Sequence, residues 1–338
     1  MDSETQNGWD AMLAEFRGLG GIADNICIKD GQFGRGLFPI DPSKPVDVYI
    51  PESLLIDVQH LHLSHGDLKV GPESPAGARE KAFLENYERE FSWGIYRRFT
   101  EDLMRELQAA PPELRAFMKA PLGLGAWLAE INPTSVTERF FGSRGISYGG
   151  RIVVMPVIEL TNHGVGTTFN VGNGIRLNGQ FDGEIFARYE LASDSLQMFE
   201  TWGFVPPEDA AFSLRLAVEK AGIVIRREPV KGTLVRGVPF YPDVSMNDGQ
   251  LTLSHLMLGH RKFPKLAKGI FYHVMRNAGR SHSEAEALFD TILRANWTQF
   301  SKLLALSEDT PPQLGRLLRN LARCQLEAMS HAIGARDI

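Results

Sequence analysis

Hydrophobic spacing switches repeatedly along this chain, and that alternation limits its fold more than any single motif. "GWDAMLAEFRGLG" (residues 8–20) places Trp9, Met12, Leu13 and Phe16 three and four apart and closes on glycines, which predicts a short helix. "NICIKD", "GRGLFPI" and "DVYIPESLLI" follow as short β-branched or apolar runs broken by Gly, Pro and Asp, the pattern of strands joined by tight turns. Residues 79–128 return to helical spacing around a Pro-Pro break. Strand character is expected again from "ERFFGSRGISYGGRIVVMPVIEL" (138–160) through "GTTFNV", "GIRLNGQ" and "GEIFARY". "SLQMFETW" predicts a short helix, "AFSLRLAV" and "GTLVRGVPFY" (232–241) predict strands, and 250–277, 282–306 and 311–333 predict helices. Runs of strands beside runs of helices imply an α+β protein. Its β-rich body would carry a helical insert near 60–138, and a mainly helical lobe would follow over 207–338.

Bulk properties remove several classes. The 338 residues suggest about two domains. A net charge of -5 argues against a dedicated nucleic-acid binder. Cys27 and Cys324 are the only cysteines, too few for a disulfide framework or a cysteine zinc site. The N-terminus "MDSETQNGWD" is polar and acidic, and no apolar run reaches the ~20 residues of a membrane span. A cytoplasmic protein with no membrane partner is expected; the oligomeric state is left open.

Three local patterns invite functional readings. "GVGTTF" (164–169) resembles a dinucleotide loop, but that use needs a following helix, and "TTFNVGNGIRL" is β-branched and broken by glycine. His60, His62 and His65 crowd "QHLHLSH", with only Asp67 as a nearby acidic ligand, so a solvated strand end is the better reading and no metal is expected. No H-E-x-x-H motif occurs. The third pattern is Asn162-His163 in "RIVVMPVIELTNHGVG": two polar side chains at the end of an apolar run, where a bland turn would be content with Asn-Gly.

Around that pair stands an ordered set: "FGRGLF" (33–38), "GSR" (142–144), "PVIELTNH" (156–163), "GEIFARY" (183–189) and "WGFV" (202–205). The order resembles the SET-domain methyltransferases. Within them it is most similar to the group that includes the Rubisco large-subunit lysine methyltransferase, whose members carry a helical insert and a helical substrate-binding lobe in place of cysteine-rich flanks. The likeness is greatest over 139–206.

The resemblance implies S-adenosylmethionine as cofactor and a protein or peptide lysine as acceptor. It assigns cofactor binding to Asn162, His163 and Arg144, and to the backbone of Phe33, Gly34, Arg35 and Gly36. It makes Tyr189 the catalytic tyrosine beside the cofactor, and puts Ser143, Glu159 and Trp202 around the methyl-transfer channel. Three positions depart from the family pattern: Glu159 replaces an aspartate, Glu190 a glycine and Trp202 a tyrosine. The last bears on acceptor choice. The alternatives are a SET-type enzyme acting on a histidine, a peptide or a small amine, and a non-catalytic module that keeps the fold.

Overall fold

The computed structural model describes residues 3–31, 33–190, 192–227, 240–308 and 310–332. The strand expected at 232–241 therefore lies almost wholly outside the described residues. In chain order the first elements are α1 (Ser3–Gly18), β1 (Ile22–Asp24), β2 (Ile26–Gly31), β3 (Gly34–Pro39), β4 (Val46–Ile50), β5 (Leu61–Ser64) and β6 (Asp67–Val70). Helices α2 (Ala78–Phe91), α3 (Trp93–Ala109), α4 (Pro112–Lys119) and α5 (Pro133–Arg144) come next. Then follow β7 (Ile146–Tyr148), β8 (Arg151–Val153), β9 (Asn162–Thr167), β10 (Asn170–Gly172), β11 (Gly174–Gly179) and β12 (Phe186–Ala187). The remainder is α6 (Ser195–Trp202), β13 (Ala210–Phe212), β14 (Leu216–Val218), β15 (Ile223–Arg226), β16 (Asp243–Asn247), β17 (Gln250–Ser254), β18 (Met257–His260), α7 (Leu266–Asn277), α8 (His282–Leu306) and α9 (Pro312–Ser330). The chain is α+β. It forms two compact units, one of Met1–Glu101 with Ile131–Tyr189, the other of Asp102–Glu130 with Glu190–Ile338.

The first unit is built from small sheets: β1-β4-β11-β10, the hairpins β2-β3, β5-β6 and β7-β8, and a parallel pair β9-β12. Its core joins α1 and α2 to the strands. Trp9 meets Phe91 edge-on at 5.3 Å and Phe16 meets Phe83 at 5.9 Å, with Ile26, Ile28, Leu37, Val48 and Ile50 fully or almost fully buried beside them.

The second unit holds α4 and α6–α9, with the sheet β14-β15-β17-β16 and the pair β13-β18. Trp127 stacks on Phe199 and donates its indole N–H to the Glu200 carbonyl at 2.8 Å. Asp194 caps α6 by accepting from the Gln197 N–H and also accepts from the Phe212 N–H, while the Arg227 guanidinium pairs with it; this charge holds its carboxyl below the ordinary value despite burial.

Three expectations are corrected. Residues 138–144 are helical, because Asn132 and Ser135 form a reciprocal capping box and Pro133 opens α5. Residues 250–260 form strands, not a helix. Asp248-Gly249, with φ of 48° and 77°, makes a two-residue hairpin turn between β16 and β17, and Leu251 and Leu253 are buried in alternation with Gln250, Thr252 and Ser254. The strand expected over 151–160 stops at Val153.

Buried Asn296 joins the segment just after β13 to α8 in the second unit: its Oδ1 accepts from the Leu214 N–H at 2.7 Å, and its Nδ2 donates to Ser213 Oγ at 3.0 Å and to the Ile292 carbonyl at 2.9 Å. Asn296→Ala strands buried donors and acceptors, so denaturant unfolding should show a loss of ~2–4 kcal/mol.

Candidate active site

The site in the first unit begins with a backbone bend. After β8, Val157 adopts φ 71° and ψ -58°, and the Ile158 N–H donates to the Pro156 carbonyl at 2.9 Å, a γ-turn. A fully buried β-branched residue at positive φ carries strain of roughly 1–3 kcal/mol. The turn feeds a single 3-10 turn, Ile158–Leu160, which buries Glu159 and delivers Thr161, Asn162 and His163 into β9.

Segment 184–189 crosses β9 in parallel. Phe186 pairs with Asn162, Ala187 pairs with Thr167, and the register shifts between them. The crossing is tied on both sides: the Ile185 N–H donates to the Leu37 carbonyl at 2.8 Å and the Arg188 N–H to the Thr167 carbonyl at 2.9 Å. Asn162 Nδ2 donates to Glu184 Oε1 at 2.6 Å and to the Arg35 carbonyl at 3.3 Å. Gly36 lets this pair sit close to the backbone: a Cβ there would strike the Glu184 carboxylate and come within 2.9 Å of Asn162 Nδ2, so both side chains would have to move. Gly34, at φ 95°, turns the β2-β3 hairpin, and half-exposed Phe33 at its tip meets Phe186 edge-on at 6.2 Å.

Three residues beyond Phe186, the Tyr189 N–H donates to His163 Nδ1 at 3.3 Å, and the two rings meet edge-on at 5.1 Å. Accepting at Nδ1 puts the proton of a neutral His163 ring on Nε2. The Tyr189 hydroxyl donates to the Thr161 carbonyl at 2.6 Å, and Phe169 stacks on its ring. Burial raises the Tyr189 phenol well above its ordinary value, a shift that the Arg144 charge only partly opposes. At neutral pH Tyr189 is therefore a phenol.

Beneath this lies a buried acidic pair. Glu159, its side chain 3 % exposed, accepts from the Tyr87 hydroxyl at 2.9 Å and lies 3.8 Å from Arg144 Nη1. The Arg144 guanidinium sits 4.3 Å over Tyr96 and 5.0 Å over Phe140. Glu88 is buried in the same region, and the buried Ser92 side chain lies beside both carboxyls. Burial, reinforced by the Glu159 charge, pushes Glu88 up to about 8; burial also raises Glu159, while Arg144 pulls it down.

The sequence-expected residues thus fall into distinct settings. Arg35, Gly36 and Asn162 meet, as do His163 and Tyr189, and Arg144 meets Glu159. Phe33 and Gly34 form the hairpin tip. Ser143 rides on α5 and donates its hydroxyl to the Phe140 carbonyl at 2.7 Å, so its side chain serves its own helix. Its carbonyl belongs to the last helical turn, which leaves such groups without intrahelical partners. Glu159 directs its carboxylate into the core. Trp202 ends α6 in the second unit, before Gly203 at φ 78°. Sequence reasoning missed Glu184, Tyr96 and Phe186. Glu184 stood inside the quoted "GEIFARY", and an acidic residue heading a strand is ordinarily just a solvated end.

The residues fit a zwitterionic, hydroxyl-rich cofactor. Arg35 Nη1 is buried without a hydrogen-bond partner among the described residues, and Glu184 offers a carboxylate that packs against Gly36. Among the described residues no group of three His, Cys, Asp or Glu side chains is placed to hold a metal, and His60 lies 3.6 Å from Glu73.

No protein-family model matches this chain, and no curated protein sequence matches it significantly. Among solved structures it is similar, at 13 % identity, to Rubisco LSMT bound to AdoMet, covering 96 % of this chain and 90 % of that one with a TM-score of 0.46. The SET domain of LSMT bound to lysine and AdoHcy matches at 13 % identity over 98 % of this chain and 90 % of that one, TM-score 0.43. Rubisco LSMT bound to sinefungin and monomethyllysine matches at 13 % identity over 98 % and 91 %, TM-score 0.43.

The buried pair gives a signed pH dependence. Between its ordinary value and about 8, Glu88 keeps a proton in the folded chain that the unfolded chain has released. The associated stability is fully present below the ordinary carboxyl value and is lost as pH rises through about 8. Melting temperatures taken from about pH 5 to about pH 9 should fall with pH in the wild type, and Glu88→Gln should flatten that fall.

Proposed function

We propose that this protein is an S-adenosylmethionine-dependent N-methyltransferase of the SET type, acting on a lysine of a protein or peptide. The observation that carries the reading is the crossing itself: one parallel contact gathers the Arg35–Gly36 backbone, Asn162, His163 and Tyr189, residues that the ordered motif set singled out. On this reading Asn162, Glu184, Arg35 and the Phe33–Gly36 hairpin hold the cofactor, with His163 and Arg144 supporting its pocket. The second unit, including 207–338, docks the substrate, and the protein works in the cytoplasm.

S-adenosylmethionine, when bound, supplies a methyl group on a sulfonium. The acceptor amine must arrive neutral; from a lysine pKa near 10.4 that costs about 4–5 kcal/mol at pH 7. A confined site beside a cation lowers this cost, because desolvation and like charge both depress an amine pKa. Tyr189 stays protonated and so does not take that proton. Its hydroxyl hydrogen is committed to the Thr161 carbonyl, which leaves the phenol oxygen to accept an N–H from the acceptor amine. The amine lone pair is thereby turned toward the methyl, and the proton lost by the ammonium goes to solvent. Most of what the chain contributes is orientation.

Calorimetry should detect S-adenosylmethionine binding to the wild type. Asn162→Ala should weaken it by roughly 1–3 kcal/mol, since Glu184 loses its donor and buried cofactor polar groups are left unpaired. Absence of wild-type binding would end the proposal. Tyr189→Phe keeps the ring and removes the hydroxyl. Labelled-methyl transfer into lysate protein should then show kcat reduced by about ten- to a thousand-fold, roughly 1.4–4 kcal/mol of barrier, with cofactor affinity nearly unchanged. Undiminished transfer by that variant would show that another residue positions the amine.

A further inference from the structure

A second polar cleft lies in the other unit, where α7 ends and α8 begins. Gly269, Tyr272, His273, Arg276, Arg280, Ser281, His282 and Ala285 line a volume of about 370 Å³. Two guanidiniums and two imidazoles face this space, and no carboxylate is among its lining residues. Helix α8 runs for 25 residues from its Ser281 cap, so its positive end also points there.

The surrounding acids are mostly committed elsewhere. Glu284 is held by Ser281, accepting from its N–H at 2.8 Å and from its hydroxyl at 2.7 Å, and reaches Arg280 only at 3.9 Å. Glu286 and Asp290 lie 3.9 and 3.8 Å from Lys268. Arg280 is anchored by donating to the Ala221 carbonyl at 3.0 Å. Arg276 is different. The one contact described for its guanidinium is to His273 Nδ1 at 3.2 Å, and among the described residues it has no carboxylate partner. A guanidinium has five N–H donors in a fork that suits carboxylate and phosphate oxygens. Ring contacts hold the neighbouring side chains: Tyr272 meets His282 at 4.6 Å and Tyr241 meets His273 at 6.0 Å. At about 30 Å³ per water the space equals about a dozen waters, more than a lone oxyanion fills.

We infer that this cleft binds an oxyanion borne on a protein segment, a side-chain carboxylate or phosphate gripped by Arg276 and Arg280 with the flanking residues filling the remaining space.

Fluorescence anisotropy on the full chain tests this with three labelled short peptides: glutamate-rich, the same sequence with phosphoserine, and a glutamine-substituted neutral control. The two acidic peptides should bind at low salt, weaken as salt rises, and outbind the neutral one. A phosphopeptide advantage of about tenfold or more identifies phosphate as the group read, and equal affinity identifies carboxylate. Arg276→Glu and His282→Glu, both exposed, should each weaken binding by at least about tenfold, while Lys302→Glu, outside the cleft lining, should not. Failure of both acidic peptides to bind overturns the inference. So does equal binding of the neutral peptide, or unchanged affinity in both cleft variants with wild-type circular dichroism. S-adenosylmethionine affinity, measured alongside, reports separately on the methyl-transfer reading.

Discussion

The parallel contact between β9 and β12 is the constraint on which the candidate site depends. At this irregular crossing, β9 has to lack side chains where Phe186 lies against it. A Cβ at position 164 would meet the Phe186 ring at 2.9 Å, and one at 166 would strike the Phe186 carbonyl. Gly-Val-Gly is therefore a gap cut for another strand. Once Phe186 and Ala187 occupy it, the chain emerges with Tyr189 against His163 and its hydroxyl on the Thr161 carbonyl. Glu184, at the other end of the crossing, is carried onto Asn162. This pairing brings Tyr189 and Asn162 to the partners that hold them.

Much of this was legible in the sequence, and the failures have local causes. The alternation of strand and helix blocks was visible because buried apolar residues repeat at two different periods. The Asn-His pair stood out because polar side chains after a β-branched run need a reason. Residues 138–144 were misread because Phe140 and Phe141 suggest a strand, while the stronger signal, Asn132-Pro133 with Ser135, lay upstream of the window. Residues 250–260 were misread because apolar residues at 251, 253, 256, 257 and 258 suit either period; the Asp248-Gly249 turn decides, through φ values few other pairs accept cheaply. Val157 was invisible, since nothing in a valine announces positive φ. Glu184 was overlooked because its partner, Asn162, is 22 residues away, and only the crossing joins them.

The least economical parts of the first unit cluster around the crossing. Val157 is held in a conformation that β-branched residues avoid, and two carboxyls, Glu88 and Glu159, are buried near one guanidinium. Burying two carboxylates for one cation is unfavourable unless a proton is retained, and the raised Glu88 supplies it. The geometry accounts for the expense. The strained turn sends Glu159 inward, where it accepts from Tyr87 and faces Arg144, and Arg144 is in turn sandwiched over Tyr96 and Phe140. A cation fixed this way acts on the Tyr189 phenol and opposes part of the upward push of burial. A leucine at 159 would suit the core better and leave Arg144 without its acid. Strain and buried charge just before β9 thus fix a positive charge that acts on the tyrosine held at the start of the same strand, which is the arrangement expected where a polar group has to be aimed and not merely packed.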